Sequence, residues 1–600
     1  MRKQLLTVLL LLVASIAAAQ TEEVIFSAPG GFYEDSFPLS LECYHANHHI
    51  RYTTNGNSPT PNSTCYTEPL VLNGTLHSTS DIYTIVNCIP SVYHPTDSVR
   101  HCIVIRAAVF DENDSCVSAV ATHSYFIRSL GCDTHGMPVL SLAADSLSLF
   151  DYETGIFIPG VHYDPADSTH TGNYCEKGRE WERPINMEFY ETDNSGINQP
   201  CGLRTHGGSS RWFQQKGLRL YAREEYGKKK FHHRFFATTT VEKFKHLNLH
   251  PFRCSNWLQT GGQEHLSQTV AATLDIDALG VRQTLVFLNG EYWGIYTLEE
   301  SPDEHYVEDH YGYDDEQVNL LKYWGVTQNG DGTDWWQFFN WISDADLSQP
   351  DQAAYAYSRI DVPSFIDYVL FETYTANLDW PQNNVLHWQG ETGGPFRWLF
   401  YDADGCFTRP SYNALEHATS LEGSSMLINK FLENEAFRDS FFQRYVELLD
   451  AAFSVPYLLS VLDDYQQTVE GEIPLQSERF GFPTDLQRWN DDLEEAKTFF
   501  RTRNYYYQQE LSTHIATINS VSTSFYCAPN PSQGAFWINI HSNDNAILPL
   551  TIYDTMGRLV YTTDLYLFPT ENVIPLHPAL SSGLYLVKIG DVTHRLVIAK

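Results

Sequence analysis

The hydrophobic pattern of this 600-residue chain changes character twice, and no one core can accommodate all three patterns. At roughly 150 residues per domain the length also calls for several domains. From residue 20 to 133, short alternating segments (Ile50–Thr54, Ile82–Val86, Cys102–Phe110) are separated by clusters rich in Asn, Gly, Ser and Pro, which predicts a small all-β sandwich. From 524 to 600 alternation returns in CAPNPSQGAFWINI, LPLTIYDTMGRLVY and HRLVIAK, broken by Gly and Pro turns, and predicts a second one. Residues 137–517 between them mix two periods. Strand-like runs fall at Gly202–Leu203, Gly217–Ala222, Thr284–Leu288, Gly294–Leu298 and Trp398–Tyr401. Helical spacing runs from Ser364 to Thr375 and from Glu435 to Phe453, with Asp361 before Pro363 as a helix start. The expectation is a multidomain chain, an α+β core flanked by two small all-β sandwich domains.

Composition narrows the partners. Lys plus Arg number 38 against 74 Asp plus Glu, a formal net charge of −36, so the averaged surface repels phosphate backbones and nucleic acid is not a default partner. At 42% hydrophobic, 14% aromatic and 19% charged, the chain folds rather than staying solvated. Residues 1–19 read as a signal peptide: Arg2 and Lys3, then an apolar run from Leu5 to Ile16, then Ala17-Ala18-Ala19. That run is shorter than the roughly 20 residues that span a bilayer, and no later segment is comparably apolar, so no transmembrane span is expected. Export places the eleven cysteines in an oxidising setting, where disulfides in the N-terminal region are plausible. Their spacing has no zinc pattern and the odd total leaves a thiol unpaired.

Chemistry concentrates in Asn377-Leu378-Asp379-Trp380-Pro381-Gln382-Asn383-Asn384 and Arg397-Trp398-Leu399-Phe400-Tyr401-Asp402-Ala403-Asp404. Pro381 takes the chain out of helical geometry after Asp379, so that carboxylate sits on a loop. Asp402 and Asp404 follow an apolar strand. A loop Asp can orient a hydroxyl proton, an Asn shortly after it can offer its amide oxygen to a divalent cation, and an Asp at a strand end can bridge that cation to nucleotide phosphates. The same residue types also make turn hydrogen bonds with their own backbone, and spacing does not separate the two. A second constellation is the turn Arg204-Thr205-His206-Gly207-Gly208-Ser209-Ser210-Arg211, ahead of a segment carrying Lys216. Backbone N–H groups of such a turn, with a following Lys, can approach phosphate oxygens, and a plain hairpin turn fits as well.

Three resemblances attach to these residues. FSAPGGFYEDSFPLSL, RYTTNGNSPTPNSTCYTEPLVL and VIRAAVF resemble the chitobiase and hexosaminidase C-terminal β-sandwich module, which implies a spacer or a carbohydrate-binding accessory for residues 20–133. Pro529-Asn530-Pro531, Tyr553-Asp554, Gly557-Arg558 and Ser582-Gly583-Leu584-Tyr585 look like the C-terminal sorting domain of the type IX secretion system, which implies passage across an outer membrane and recognition by that machinery. GLRTHGGSSRWFQQKGLRLYAREEYG, VFLNGEYWGIYTLEESPDEHYVEDHYG, NLDWPQNNVLHWQ and RWLFYDADGCF resemble the CotH family of secreted atypical kinases, distant relatives of the protein-kinase fold, over residues 137–517.

The CotH resemblance implies roles. Asp379 is the catalytic aspartate and Asn384, Asp402 and Asp404 are the metal ligands. Lys216 is the nucleotide-binding lysine, with Arg204, Gly207 and Ser210 beside it. Glu264 is the acidic residue on the helix after the lysine strand, and Glu300 with Asp303, at positions the family keeps, has a structural or nucleotide-pocket role. Gln215 stands where the family often has a second lysine. The implied cofactors are ATP and Mg²⁺ or Mn²⁺, and the implied activity is γ-phosphoryl transfer to Ser or Thr of a secreted or surface protein. The competing expectations are a catalytically silent kinase-fold scaffold and a carbohydrate-binding protein. A glycosidase would need a carboxylate pair that the sequence does not place.

Overall fold

A computed structural model describes residues 22–76, 82–88, 93–96, 99–168, 170–253, 259–390, 394–420, 425–515, 525–542, 546–567, 571–589 and 592–600. The expected signal peptide lies outside the described residues. The chain forms two compact units, made of the described residues within Met1–Thr269, Leu279–Asp315 and Leu462–Leu493, and within Val270–Ala278, Glu316–Val461 and Glu494–Lys600.

The first unit opens with a five-stranded sheet containing β1 (His49–Thr53), β2 (Ile103–Phe110) and β3 (Ala121–Ile127). Alternate residues of β2, Ile103, Ile105, Ala107 and Val109, enter one apolar cluster with Leu39, Leu41 and Tyr125. Of the three segments expected as strands here, Ile82–Val86 is not one. Ile82–Thr84 is a 3-10 turn, and Ile82 is buried in the core of the neighbouring barrel with Ile85 packed against the same cluster. Two isoleucines three apart share one side of a helical turn, whereas in a strand they would face opposite ways.

That barrel has seven strands: β4 (Val139–Ala143), β5 (Arg183–Tyr190), β6 (Gly196–Thr205), β7 (Leu218–Tyr221), β8 (His246–Pro251), β9 (Val281–Leu288) and β10 (Glu291–Glu300). The order around it is β4-β5-β6-β7-β8-β10-β9, closed by the parallel pair β4 and β9. Leu203, Leu218, Leu220, Leu247, Leu249 and Leu298 fill its interior, so the residues between them in sequence point outward. The N-terminal sheet and the barrel are joined by more than the chain. The Cys102 N–H donates to the Gly290 carbonyl (2.8 Å) and the Ser146 N–H to Asn57 Oδ1 (2.7 Å), while Arg100 and His135 both meet the buried Glu472 of the 3-10 turn Glu470–Glu472 (3.1 and 2.6 Å). Helix α1 (Gln263–Ala271) precedes β9, and α2 (Glu304–Tyr311), capped by Asp303, follows β10.

The second unit contains a five-stranded sheet with β11 (Asn319–Lys322), β12 (Leu386–Gln389) and β13 (Arg397–Phe400), and the helices α3 (Val362–Tyr374) and α4 (Leu486–Ile515), the latter from Glu494 on. The helix expected from Glu435 is present as Glu435–Leu449. At the C-terminus a three-stranded and a four-stranded antiparallel sheet share one apolar cluster, with Phe536, Ile538 and Ile540 from one and Leu550, Ile552, Val587 and Ile589 from the other. The alternation read from sequence therefore reappears there as strands. No described helix is long and apolar enough to cross a membrane. The described cysteines carry free thiols: Cys65 and Cys116 are exposed, while Cys88, Cys102 and Cys132 are buried. Burial pushes the Cys132 thiol up to about 12.

Candidate functional site

In the second unit the site begins with a well-anchored helix. Asp361 caps α3 by accepting the Ser364 N–H at 3.2 Å, with Pro363 in the first turn, and every residue from Ser364 to Tyr374 is buried. At its other end the carbonyls of Thr373 and Tyr374 receive the Arg503 guanidinium at 2.6 and 2.7 Å. The chain then turns out of the helix. Asn377 donates to Glu372 Oε2 (2.8 Å) and accepts the Asp379 N–H (3.2 Å), which fixes the loop that presents Asp379. The loop after β13 packs against it so closely that a Cβ on Gly405 would lie 2.6 Å from Asn377 Oδ1.

Asp379, Asn384, Asp402 and Asp404 come together on these two loops. Asn384 Nδ2 donates to the Asp402 carbonyl at 3.1 Å. One carboxylate oxygen each of Asp402 and Asp404 lie within 4.8 Å of each other. The surrounding protein, and after it the Asp404 charge, raises the Asp379 carboxyl above the usual carboxylate range. Asn384 and Asp402 both hold left-handed backbone, φ 59° and 63°. Asn and Asp reach that region more readily than other side chains, and such outliers gather at functional sites. The carboxylates of Asp402 and Asp404 with the Asn384 amide, beside a third carboxylate on Asp379, fit the donor chemistry of a hard divalent cation such as Mg²⁺ or Mn²⁺.

In the first unit the barrel places the other candidates. The turn from His206 to Gly217 is closed by the His206 N–H donating to the Gly217 carbonyl (2.7 Å) and by Ser210 Oγ donating to the His206 carbonyl (3.1 Å). Gly207 is needed there: its φ is 97°, and a Cβ would sit 2.0 Å from Ser210 Oγ. Lys216, however, is enclosed. It has 0% exposure, its Nζ donates to the carbonyls of Asn87 (2.7 Å), Arg211 (3.1 Å) and Phe213 (3.1 Å), and it lies 4.0 Å above the Tyr174 ring. Burial pushes its amine down to about 7. All three ammonium protons have protein acceptors, so this side chain, in the place the resemblance gives to the nucleotide lysine, does not present its nitrogen outward. Gln215 is likewise internal, bonded to Gln476 and to the Ile295 carbonyl.

Glu264 on α1 is buried and accepts Gln268 Nε2 at 2.8 Å. Glu300 accepts the Gly280 N–H at 2.7 Å and meets His310 at 2.9 Å. Asp303 is held well below the usual carboxylate range: burial opposes its ionisation, but His246 at 2.8 Å favours it more. Arg204 does face outward, its guanidinium 4.0 Å over the Tyr221 ring and 3.6 Å from Glu182.

The sequence reading overlooked a polar row on the outer barrel face. Arg204, Arg219, Asn248 and Glu299 stand directly opposite one another in strand register. Arg219 Nε donates to Asn248 Oδ1 (2.7 Å), its Nη2 lies 3.0 Å from His206 Nε2, and Asn248 Nδ2 donates to Glu299 Oε1 (3.2 Å). The signal was present in Leu218-Arg219-Leu220 and His246-Leu247-Asn248-Leu249-His250, where polar residues alternate with leucine.

A closed, mostly antiparallel barrel with a basic polar face, and a helical unit whose loops gather carboxylates after a helix and a strand, are the parts of a kinase-like protein. The chain belongs to the CotH kinase protein family, whose model matches residues 203–507. Residues 39–125 match the Fn3 associated model, and residues 526–599 match the secretion system C-terminal sorting domain. The sorting domain marks the chain for type IX secretion, to the cell surface or beyond it. Among solved structures, the chain is similar to the proinflammatory kinase CtkA of Helicobacter pylori at 9% identity, covering 45% of this chain and 93% of that one with a TM-score of 0.20. A likeness of that size carries no weight for fold or activity. No curated protein matches the chain.

Proposed function

We propose that this chain is an exported protein kinase that transfers the γ-phosphoryl group of ATP to a Ser or Thr hydroxyl of a secreted or surface protein. The observation that supports it is the meeting of Asp379, Asn384, Asp402 and Asp404 on two adjoining loops. Asn384, Asp402 and Asp404 would hold Mg²⁺ or Mn²⁺, which when bound neutralises phosphate charge. Asp379 orients the acceptor hydroxyl and takes its proton as the new O–P bond forms and the bond from the γ-phosphorus to the β–γ bridging oxygen breaks, with ADP leaving. Its raised pKa makes it a stronger base than an ordinary carboxylate. Positioning and charge stabilisation supply most of the rate. The sorting domain supports the choice of an extracellular or surface protein as acceptor.

A silent kinase-fold scaffold is favoured by one observation, the enclosed Lys216. The deciding experiment incubates the chain without residues 1–20 with labelled ATP and Mn²⁺ or Mg²⁺. Label incorporation that disappears in Asp402→Ala at unchanged melting temperature supports the kinase. A folded protein that is neither labelled nor stabilised by millimolar ATP is the scaffold.

A further inference from the structure

We infer that Arg219, and not Lys216, is the cation on the barrel that meets the nucleotide's phosphates, and that Lys216 ties the N-terminal module to the glycine-rich turn. The inference rests on the kinase reading and concerns which side chain performs one of its tasks.

Strand parity separates the two cations. Lys216 precedes β7 and shares the parity of Leu218 and Leu220, which fill the barrel interior. Arg219 lies between those leucines and points to the other side, on the row with Arg204, Asn248 and Glu299. To reach a ligand, Lys216 would have to abandon three carbonyls and leave them buried and unpaired.

The guanidiniums around the turn differ in what holds them. Arg223 is bidentate on Glu182, and Arg204 shares that carboxylate. Arg211 donates to the carbonyls of Gly207 and Glu176. Arg219 is held by Asn248 at Nε and His206 at Nη2; the Asp303 charge acts on it from farther off, but no carboxylate of the described residues forms an ion pair with it. It is therefore a planar cation oriented from two sides, with Nη1 turned to neither partner, and a phosphate oxygen suits that geometry. His206 begins the turn containing Gly207 and Ser210, so the guanidinium and the turn are positioned together.

Lys216 has a different task. Its 2.7 Å bond to the Asn87 carbonyl is one of several holding residues 82–88 and 93–96 of the N-terminal module to the turn. Asn87 Nδ2 donates to the Gln214 carbonyl (3.0 Å), and Tyr93 and Gln214 exchange two bonds (3.1 and 2.8 Å).

The test uses the full mature chain, with Mn²⁺, and titrates ATP, inorganic tripolyphosphate and adenosine against melting temperature. Arg219→Gln is expected to weaken ATP and tripolyphosphate at least tenfold and leave adenosine unchanged, with Arg219→Lys in between. Lys216→Met is expected to lower the ligand-free melting temperature and keep tripolyphosphate affinity within threefold. Tripolyphosphate affinity unchanged in Arg219→Gln, or lost in a folded Lys216→Met, overturns the inference and leaves the kinase reading standing. If Lys216→Met does not fold, the Arg219 variants decide alone. A wild-type chain that binds adenosine but no tripolyphosphate overturns the inference only, and one that binds none of the three overturns the kinase reading with it.

Discussion

Asn384 donates its side-chain amide to the backbone carbonyl of Asp402 at 3.1 Å, and both residues hold left-handed backbone. The bond joins the loop after α3 to the loop after β13, so the position of one proposed metal ligand depends on the other. Asn384→Ala removes the amide and puts a Cβ without a polar side chain into left-handed geometry, at a cost of about 1–2 kcal/mol. Asn384→Gly relieves the backbone and still lacks the amide. Urea unfolding is expected to separate them, Gly the more stable, while both lose label transfer from ATP by at least tenfold.

The Asp379 carboxyl is raised by the surrounding protein and by Asp404. A raised folded pKa means the folded state keeps a proton that the unfolded chain has released, so stability falls as pH climbs from the ordinary Asp range to the folded value. Asp379→Asn removes that fall. The variant is expected to melt above the wild type at pH 7 and to converge with it at acid pH. Asp404→Asn, which lowers the Asp379 pKa, moves the acid limb of any label-transfer profile to lower pH.

Lys216 has the opposite charge and the opposite slope. Burial puts its folded pKa near 7, below the ordinary 10.5. Below pH 7 both states are protonated and the folded state bears the full cost of a buried ammonium. Between pH 7 and 10.5 the unfolded chain alone binds the proton, so stability rises with pH by up to ~1.4 kcal/mol per unit. Denaturation midpoints at pH 6.5, 8 and 9.5 are expected to show the rise in the wild type and not in Lys216→Met.

Ile82 belongs to the N-terminal module in sequence and to the barrel core in space. Ile82→Ala is expected to destabilise by about 2–4 kcal/mol, the usual range for a buried Ile or Leu truncation. Near-ultraviolet signals of the N-terminal module and the barrel should then shift to the same lower denaturant midpoint. A second transition in the wild type would show that the two fold separately.

Much of the plan was legible from residue patterns. Strand-like runs marked β6, β7, β9, β10 and β13, and Asp361-Val362-Pro363 announced the start of α3, because caps and short strand-like runs are local properties. The motifs Asp379 to Asn384 and Asp402 to Asp404 could be named as chemistry, and the structure brings them together. The resemblance gives Lys216 the nucleotide-binding role, and it passes over Arg219 although the alternation around that residue is visible. The carboxylate that joins the polar row is Glu299, one residue before the expected Glu300, and in a strand one residue is the difference between two faces.

By itself the sequence determined the three-part plan, the sorting tail and the set of side chains able to bind a cation and phosphate, since period, turn chemistry and residue type are written locally. The tertiary structure alone decided which of those side chains are engaged. Whether a lysine meets a ligand or three carbonyls depends on what the rest of the chain folds around it, and Asn87 and Tyr174 come to Lys216 from segments whose meeting no local pattern encodes.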